Sequence, residues 1–169
     1  MIGYVVWFVG VLCFNRLAGI FAKYRAEKYL ASPYKALPDV FQETLPGLPV
    51  HVPDYLLFCL GLYVFFFRYP KDYVELDTLL YSLSFRPIFV SVTTLPTCMK
   101  RQNVNNFFLS THDLIFSGHT CLFIFFGKLI GGSLGNIVQI IFPITLIQAR
   151  QHYTIDVLVS MVVYKSLEV

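Results

Sequence analysis

The sequence is poor in several features that organise other classes of protein. Its four cysteines form no C-x-x-C pair and show no metal-ligand spacing, so cysteine usage indicates no zinc or redox site. The chain also contains no internal repeat and no low-complexity tract, which argues against a repeat array and against a disordered linker. We expect no metal ion, no cofactor and no nucleic-acid partner.

Charged residues are scarce as well. They make up 14% of the 169 residues, against 56% hydrophobic residues and a mean hydropathy of +0.63. Such a chain is too apolar for an ordinary soluble domain and too long for a single membrane anchor. A bilayer-spanning helix needs about 20 mostly apolar residues, and several of the candidates are near the short limit. The candidate spans are 2–22, 53–69, 73–95, 114–130, 134–149 and 152–167.

These segments predict an all-α fold, a polytopic membrane bundle of about six transmembrane helices. Six spans and their loops use nearly the whole chain, so we expect a single integral membrane domain over residues 1–169. A soluble helical bundle is the alternative, but the aromatic content of 17% argues against it. The first segment lacks a preceding basic stretch and a small-residue cleavage site, which favours a span over a signal peptide.

Two short strings predict the chemistry: Ser-Gly-His-Thr at 117–120 and His-Tyr-Thr-Ile-Asp-Val at 152–157. Six spans would place the start of the fourth and the start of the sixth on one membrane face, so His119 and His152 would emerge together. His152 and Asp156 are four residues apart and would share one face of a helix. The carboxylate can accept from one imidazole nitrogen and leave the other basic, which suits phosphoryl transfer at a membrane surface.

Each of these assignments has a structural alternative. His152 and Asp156 are also interpretable as a hydrogen-bonded pair inside a bundle, although ionisable pairs at membrane depth are costly and usually functional. His119 is interpretable as a polar helix cap, but Ser117 is the natural cap at this position. Capping therefore leaves His119 unexplained.

The chain resembles the sphingomyelin synthase family, the lipid phosphotransferase branch of the type 2 phosphatidic acid phosphatase superfamily. Phe-Ser-Gly-His-Thr at 116–120 and the string at 152–157 look like the two catalytic motifs of that family. Arg86 followed by Val-Thr-Thr-Leu-Pro at 92–96 is similar to its motif at the end of the third span, and Leu-Pro-Asp at 37–39 to its motif after the first. All four occur in the family's order, so the resemblance covers nearly the whole chain.

The resemblance implies a role for each residue of the two catalytic strings. His152 would attack the phosphorus of a phospholipid headgroup and form a phosphohistidine, while Asp156 fixes its tautomer. His119 would protonate the departing diacylglycerol oxygen and then accept a proton from the hydroxyl of ceramide or another lipid acceptor. The substrate-binding residues expected are Arg86, Asp113, Ser117, Gly118 and Thr120.

Two of these binding residues have open alternatives. Arg86 is expected to contact phosphate or Asp156, and a purely structural ion pair is the alternative. Asp113 is expected to orient His119 or a headgroup cation, and a solvated loop charge is the alternative. The phosphatases of the superfamily carry cations where this chain has Leu79 and Leu146, and this departure favours the synthase branch. The headgroup stays open among choline, ethanolamine and inositol, with phosphocholine as the first expectation.

Two arguments disagree on orientation. The loops on the catalytic side carry seven Lys and Arg residues against four on the other side, which by the positive-inside rule places the site in the cytosol. The family resemblance instead implies a lumenal or exoplasmic site in an endomembrane or the plasma membrane. We expect the family orientation, because basic residues near the site can also serve to bind phosphate.

Overall fold

The structure of the chain is a computed structural model that describes residues 2–33, 35–68, 74–97 and 114–168. The all-α prediction is confirmed, since the regular structure in these ranges consists of helices. The helices are α1 (Ile2–Tyr29), α2 (Val40–Thr44), α3 (Val52–Phe67), α4 (Val74–Val92), α5 (Gly118–Ile130), α6 (Gly132–Gln148) and α7 (Thr154–Ser166).

The six longer helices alternate in direction, so that their ends collect at two ends of a bundle. At one end, which we call the site end, the amide of Thr97 after α4 donates to the carbonyl of Pro33 after α1 (2.9 Å). At the opposite end, Lys128 on α5 pairs with Glu75 on α4 (3.5 Å) and with Glu168 after α7 (3.0 Å). Contacts at both ends therefore fix the alternation.

Helix α5 lies at the centre of the bundle and contacts α3, α4, α6 and α7. Its apolar run is almost wholly buried, with Phe123 at 0% and Ile124 at 1% exposure. Helices α5 and α6 approach closely, because a Cβ on Gly127 would lie 2.6 Å from the carbonyl oxygen of Gly135. Only glycine permits this backbone contact, which joins the two helices into a tight antiparallel pair.

Helix α1 packs along α4 through small residues and specific hydrogen bonds. Ala18, Ala22 and Ala26 recur every fourth residue and are buried. The indole of Trp7 donates to the hydroxyl of Ser84 (3.2 Å). The first helix is thus an integral part of the bundle rather than a detached extension.

The six predicted segments correspond to six helices, but their bounds differ. Helix α1 continues beyond the predicted end of the first span at 22, as far as Tyr29. Helices α5 and α7 have only 13 residues each and rise about 20 Å, against a hydrocarbon core of about 30 Å. Both helices begin after the predicted span starts of 114 and 152, because residues 114–117 and 149–153 fold as largely buried, non-helical segments at the site end.

By length and composition, one helix among those described is able to cross a membrane. It is α1, whose most apolar stretch has a mean hydropathy of 1.9 and is 22% buried. A signal sequence or a buried core helix would pass the same test, and α3, α5 and α6 are apolar but shorter. Six transmembrane helices are therefore not shown by helix length.

Candidate active site

The His152–Asp156 pair forms, although not in the way that the spacing predicts. Helix α7 begins at Thr154, so His152 lies outside the helix and the expectation of two residues on one helical face is wrong. Asp156 is the third helical residue, and its Oδ2 accepts from the amide of Tyr153 (3.0 Å) at the helix start. The same oxygen lies 3.1 Å from Nδ1 of His152, since the chain turns back over the helix N-terminus.

The Asp156 carboxylate is fully buried and shared among three groups. Its other oxygen, Oδ1, accepts from the amide of Ile115 (2.8 Å), which lies in the segment leading into α5. One turn further along α7, Ser160 accepts from the amide of Ser117 (2.6 Å) and donates to the carbonyl of Asp156 (2.7 Å). Asp156 and Ser160 of α7 therefore hold both His152 and the segment that leads into α5.

The segment leading into α5 is strained. Ile115 has φ of +76°, a left-handed conformation that β-branched residues rarely adopt. Such a conformation persists only where the surroundings impose it, and here the hydrogen bond to Asp156 does so. Backbone strain of this kind is common at functional sites.

Helix α5 begins after the start of the predicted span, but its cap is the one that the sequence predicts. Ser117 is the N-cap, and its hydroxyl accepts from the amide of Thr120 (3.2 Å), which confirms the predicted cap. Thr120 is fully buried, and its hydroxyl has no hydrogen-bond partner within the described ranges. A Cβ on Gly118 would lie 3.6 Å from Nε of Arg86, so the guanidinium adjoins the helix N-terminus. A helix N-terminus beside an arginine is a favourable place for an anion.

His119 pairs with a carboxylate that was not among the predicted site residues. Its Nε2 lies 3.2 Å from Oδ1 of Asp54 in the first turn of α3. Its ring centroid is 6.4 Å from that of His152, and the two rings are tilted by 56°. The two histidines therefore lie together at the site end, whereas their emergence on one membrane face stays a prediction.

Arg86 is buried in α4 and donates hydrogen bonds to two uncharged groups. Its Nε donates to the carbonyl of Phe116 (3.1 Å), and Nη1 donates to Oδ1 of Asn15 on α1 (2.8 Å). In the described ranges the hydrogen-bond partners of the Asp156 carboxylate are His152, Tyr153 and Ile115, so the expected Arg86–Asp156 contact is not among them. Arg86 thereby supports the backbone that leads into α5.

The connector between α1 and α3 docks on the start of α7. Asp39 accepts from the amide and the hydroxyl of Thr154 (2.7 Å each) and also caps the short helix α2. Gln42 is buried and donates to the carbonyl of His152 (3.0 Å). Burial raises the pKa of Asp39, but hydrogen bonds from Thr154, Gln42 and Phe41 outweigh it and hold that pKa below its ordinary value. The Leu-Pro-Asp motif thus fixes the non-helical segment that carries His152.

Tyr153 extends this network. Its hydroxyl accepts from the amide of Leu37 (2.9 Å) and donates to the carbonyl of Pro96 (3.0 Å). It therefore joins three of the segments in which the sequence analysis found motifs, namely 37–39, 92–96 and 152–157. Asp113, the remaining predicted binding residue, lies outside the described residues.

Sequence reasoning missed several residues of the site. Asp54 carried a signal, since an ionisable residue in the first turn of an apolar helix is a functional candidate by default. Gln42, Gln151 and Ser160 carried none, because uncharged polar residues are common in loops and helices. Their role emerges only from tertiary contacts.

The arrangement suits acid–base and nucleophilic chemistry. His152 is bound at Nδ1, which leaves Nε2 as its free nitrogen, and His119 is bound at Nε2, which leaves Nδ1. Each imidazole rests against one carboxylate, so each can change protonation without losing a partner. Within the described ranges, no three His, Cys, Asp or Glu side chains converge in a way that could hold a metal ion.

Comparison with known proteins gives no match: no family model, no curated protein and no solved structure matches this chain.

Proposed function

We propose that the protein is a multi-pass membrane enzyme of the sphingomyelin synthase type, which moves a phospho-headgroup from a glycerophospholipid to ceramide or another lipid alcohol. The observation that carries the proposal is the pair of carboxylate-bound histidines with ring centroids 6.4 Å apart at one end of an apolar bundle. The four family-like motifs support it, because the segments that carry them are joined by hydrogen bonds around this pair.

The exterior of the bundle favours a membrane setting. Large apolar side chains are exposed along five helices, including Phe14, Phe58, Phe66, Ile88, Ile140 and Val162. Water-exposed patches of this extent are rare on soluble monomers, whereas lipid requires such a surface. Short spans are tolerated by tilt or by local thinning of the bilayer, so six crossings remain our proposal despite the short helices.

In the first half-reaction, Nε2 of His152 attacks the headgroup phosphorus. A nitrogen–phosphorus bond forms, and the bond from phosphorus to the glycerol oxygen breaks. Nδ1–H of His152 keeps its hydrogen bond to Asp156, which stabilises the positive charge that develops on the ring. His119 donates its proton to the departing oxygen, and diacylglycerol leaves.

In the second half-reaction, the acceptor hydroxyl takes the place of diacylglycerol. His119, now neutral, accepts the hydroxyl proton while the hydroxyl oxygen bonds to phosphorus. The nitrogen–phosphorus bond breaks and returns neutral His152. His119 is again the imidazolium, so the enzyme has its initial protonation state. Asp54 stabilises the protonated form of His119 in both halves because its carboxylate lies 3.2 Å away.

The phosphate has a binding place at the start of α5. Free amides of the first turn, the buried hydroxyl of Thr120 and the guanidinium of Arg86 are the groups that would surround its oxygens. The two positions where the phosphatases carry further cations are Leu79 and Leu146, and both are buried in apolar clusters. A site with fewer cations favours a phosphodiester over the more highly charged phosphomonoester.

Hydrolysis with water as the acceptor is the alternative function of the same site. A bound lipid hydroxyl has a large advantage over water because its position is fixed beside the phosphohistidine. For orientation we propose that the site end faces the lumen or the cell exterior, in an endomembrane or the plasma membrane, as the family resemblance implies.

A product assay separates the two functions. Purified protein in detergent receives phospholipid with a labelled headgroup, together with ceramide, and a parallel sample receives phosphatidic acid. We expect a labelled ceramide product and slow phosphate release from phosphatidic acid. Dominant phosphate release with no exchanged lipid would replace the transferase proposal with the phosphatase, and inactivity on all donors would refute both.

A further inference from the structure

Gln151 lies between the two histidine–carboxylate pairs. Its side chain is 94% buried, since the residue is 6% exposed. Its Nε2 lies 2.5 Å from the carbonyl of Val50 and 3.3 Å from each carboxylate oxygen of Asp54. Asp54 holds His119, and Gln151 directly precedes His152 in the chain. One amide side chain therefore connects the partner of one histidine to the backbone of the other.

The backbone at Gln151 is fixed to the end of α6. Its amide donates to the carbonyl of Leu146 (3.0 Å), and the preceding residue, Arg150, has φ of +55° in a tight turn. On the other side, the carbonyl of His152 accepts from Gln42 (3.0 Å). A side chain attached to so constrained a backbone holds its contacts in a fixed place.

In the described ranges, the side-chain hydrogen bonds of Gln151 are all donated by Nε2. Its Oε1 is buried and has no hydrogen-bond partner in the part of the chain that the structure describes. An unsatisfied buried oxygen reduces stability, so an apolar residue of similar size would serve packing at least as well. Glutamine differs here from an apolar residue in the donations by Nε2, to the carbonyl of Val50 and to the carboxylate of Asp54, and of these two acceptors only Asp54 belongs to the site.

Asp54 needs such a donor to keep one orientation. Its side chain is 43% exposed, and in the described ranges its hydrogen-bonding side-chain partners are Gln151 and His119. A half-exposed carboxylate bound on one side alone is free to rotate toward water. The amide of Gln151 opposes this rotation and leaves the charge of the site unchanged, because an amide is neutral.

We propose that Gln151 is a positioning residue: it orients the Asp54 carboxylate toward His119 and thereby couples the two histidines. The inference rests on the proposed function for its kinetic consequence, because there His119 is the acid–base group. The placement of the Asp54 carboxylate does not depend on that function.

Several charged or titratable groups surround this contact and bear on any pH dependence. His51 precedes α3 and acts on Asp54 electrostatically, and His119 faces Asp54 from α5. His152 and Asp156 lie at the start of α7, and Arg86 adjoins the start of α5 from α4. These groups are present in the wild type and in the variants at position 151, so each variant is compared with the wild type at every pH.

Two variants test the inference, Gln151→Glu and Gln151→Leu, with Gln148→Leu as the matched control on the same turn of the chain. At pH 8 we expect kcat to fall between about ten- and a hundredfold in both test variants, because His119 loses its fixed partner. As the pH falls, the introduced carboxyl group becomes protonated and can donate to Asp54. The ratio of Gln151→Glu to wild-type kcat therefore rises, whereas leucine at position 151 has no proton to donate and gives no such recovery.

A second measurement does not require activity. The four histidines are labelled with ¹³C in detergent-solubilised protein, assigned by single replacement, and titrated by NMR. In Gln151→Glu a second carboxylate beside Asp54 favours the imidazolium, so the midpoint of His119 moves to higher pH, while Gln148→Leu leaves it unchanged. This result is expected even if the wild type transfers no headgroup, which separates the inference from the proposed function.

The inference is overturned if the His119 midpoint is the same in wild type and Gln151→Leu, or if kcat of Gln151→Leu equals that of Gln148→Leu in an active enzyme. Thermal unfolding of all variants is measured first. If Gln151→Glu does not fold, Gln151→Leu still decides, because loss of the donor lets Asp54 rotate and shifts the His119 midpoint to lower pH.

Discussion

Replacement of Asp39 by alanine tests how the connector positions the nucleophile. Asp39 accepts hydrogen bonds from the amide and hydroxyl of Thr154 (2.7 Å each) and from the amides of Phe41 (3.1 Å) and Gln42 (3.2 Å). It thus caps α2 and the start of α7 at once. Asp39→Ala removes all four bonds and leaves the first turn of α7 without this acceptor.

The cost follows from the chemistry of these bonds. Loss of an N-cap carboxylate costs about 1 kcal/mol, and hydrogen bonds to charged groups contribute about 1.5–3 kcal/mol. Because the carboxylate is partly exposed, we take a total of roughly 2 kcal/mol, which lowers Tm by roughly 4–8 °C in a chain of this length. Activity falls further than stability does, because Thr154 lies two residues from His152.

The pH dependence of this effect has a definite sign. The pKa of Asp39 is lowered from its ordinary value of 3.8, so the charged carboxylate stabilises the fold above that pH. The stabilisation is lost as the pH falls through the lowered pKa. The Tm difference between wild type and Asp39→Asn is therefore full at neutral pH and shrinks in strong acid.

Thermal unfolding in detergent, with Glu43→Ala as the control, measures the effect. Glu43 is an exposed acid on the same short helix, so its removal should change Tm little. Equal Tm values for Asp39→Ala and Glu43→Ala at neutral pH would refute the claim that Asp39 holds the start of α7.

Two further predictions concern packing and topology. Gly127→Ala should lower the free energy of unfolding by about 1–3 kcal/mol, because its Cβ would meet the backbone of α6. Gly10→Ala is the control, since open space surrounds that position. Equal unfolding of the two variants would contradict the close contact of α5 and α6. Epitope tags at 30–39 and at 98–113 should be accessible from the same side of sealed vesicles, opposite a tag after Val169. A tag in 69–73 accessible together with either of them would exclude six spans.

The location of the site was predictable because its signals are local. An apolar stretch preceded by Ser117 indicates a helix start. Six successive apolar segments that alternate in direction place the starts of the fourth and the sixth at the same end. His119 and His152 therefore lie together as expected. The cap by Ser117 is likewise a property of four consecutive residues.

The contacts around the site were not predictable for the opposite reason. Asp54 meets His119 across 65 positions of sequence and Asp39 meets Thr154 across 115, and no periodicity encodes such pairs. The start of α7 at Thr154 also escaped prediction. Asp156 accepts from the amide of Tyr153, which is the N-cap, and Asp39 of the connector accepts from the amide of Thr154, so His152 lies outside the helix. Here tertiary packing of the connector decides the helix boundary.

The proposed transfer mechanism depends most directly on His152 as the nucleophile. Protein incubated with phospholipid carrying a ³²P-labelled headgroup, without acceptor, is quenched in alkali and mapped by peptide. We predict an acid-labile label on the peptide containing His152, absent in His152→Ala, reduced in Asp156→Ala and His119→Ala, and discharged by ceramide. A label on another residue, or full turnover by His152→Ala, would contradict the account.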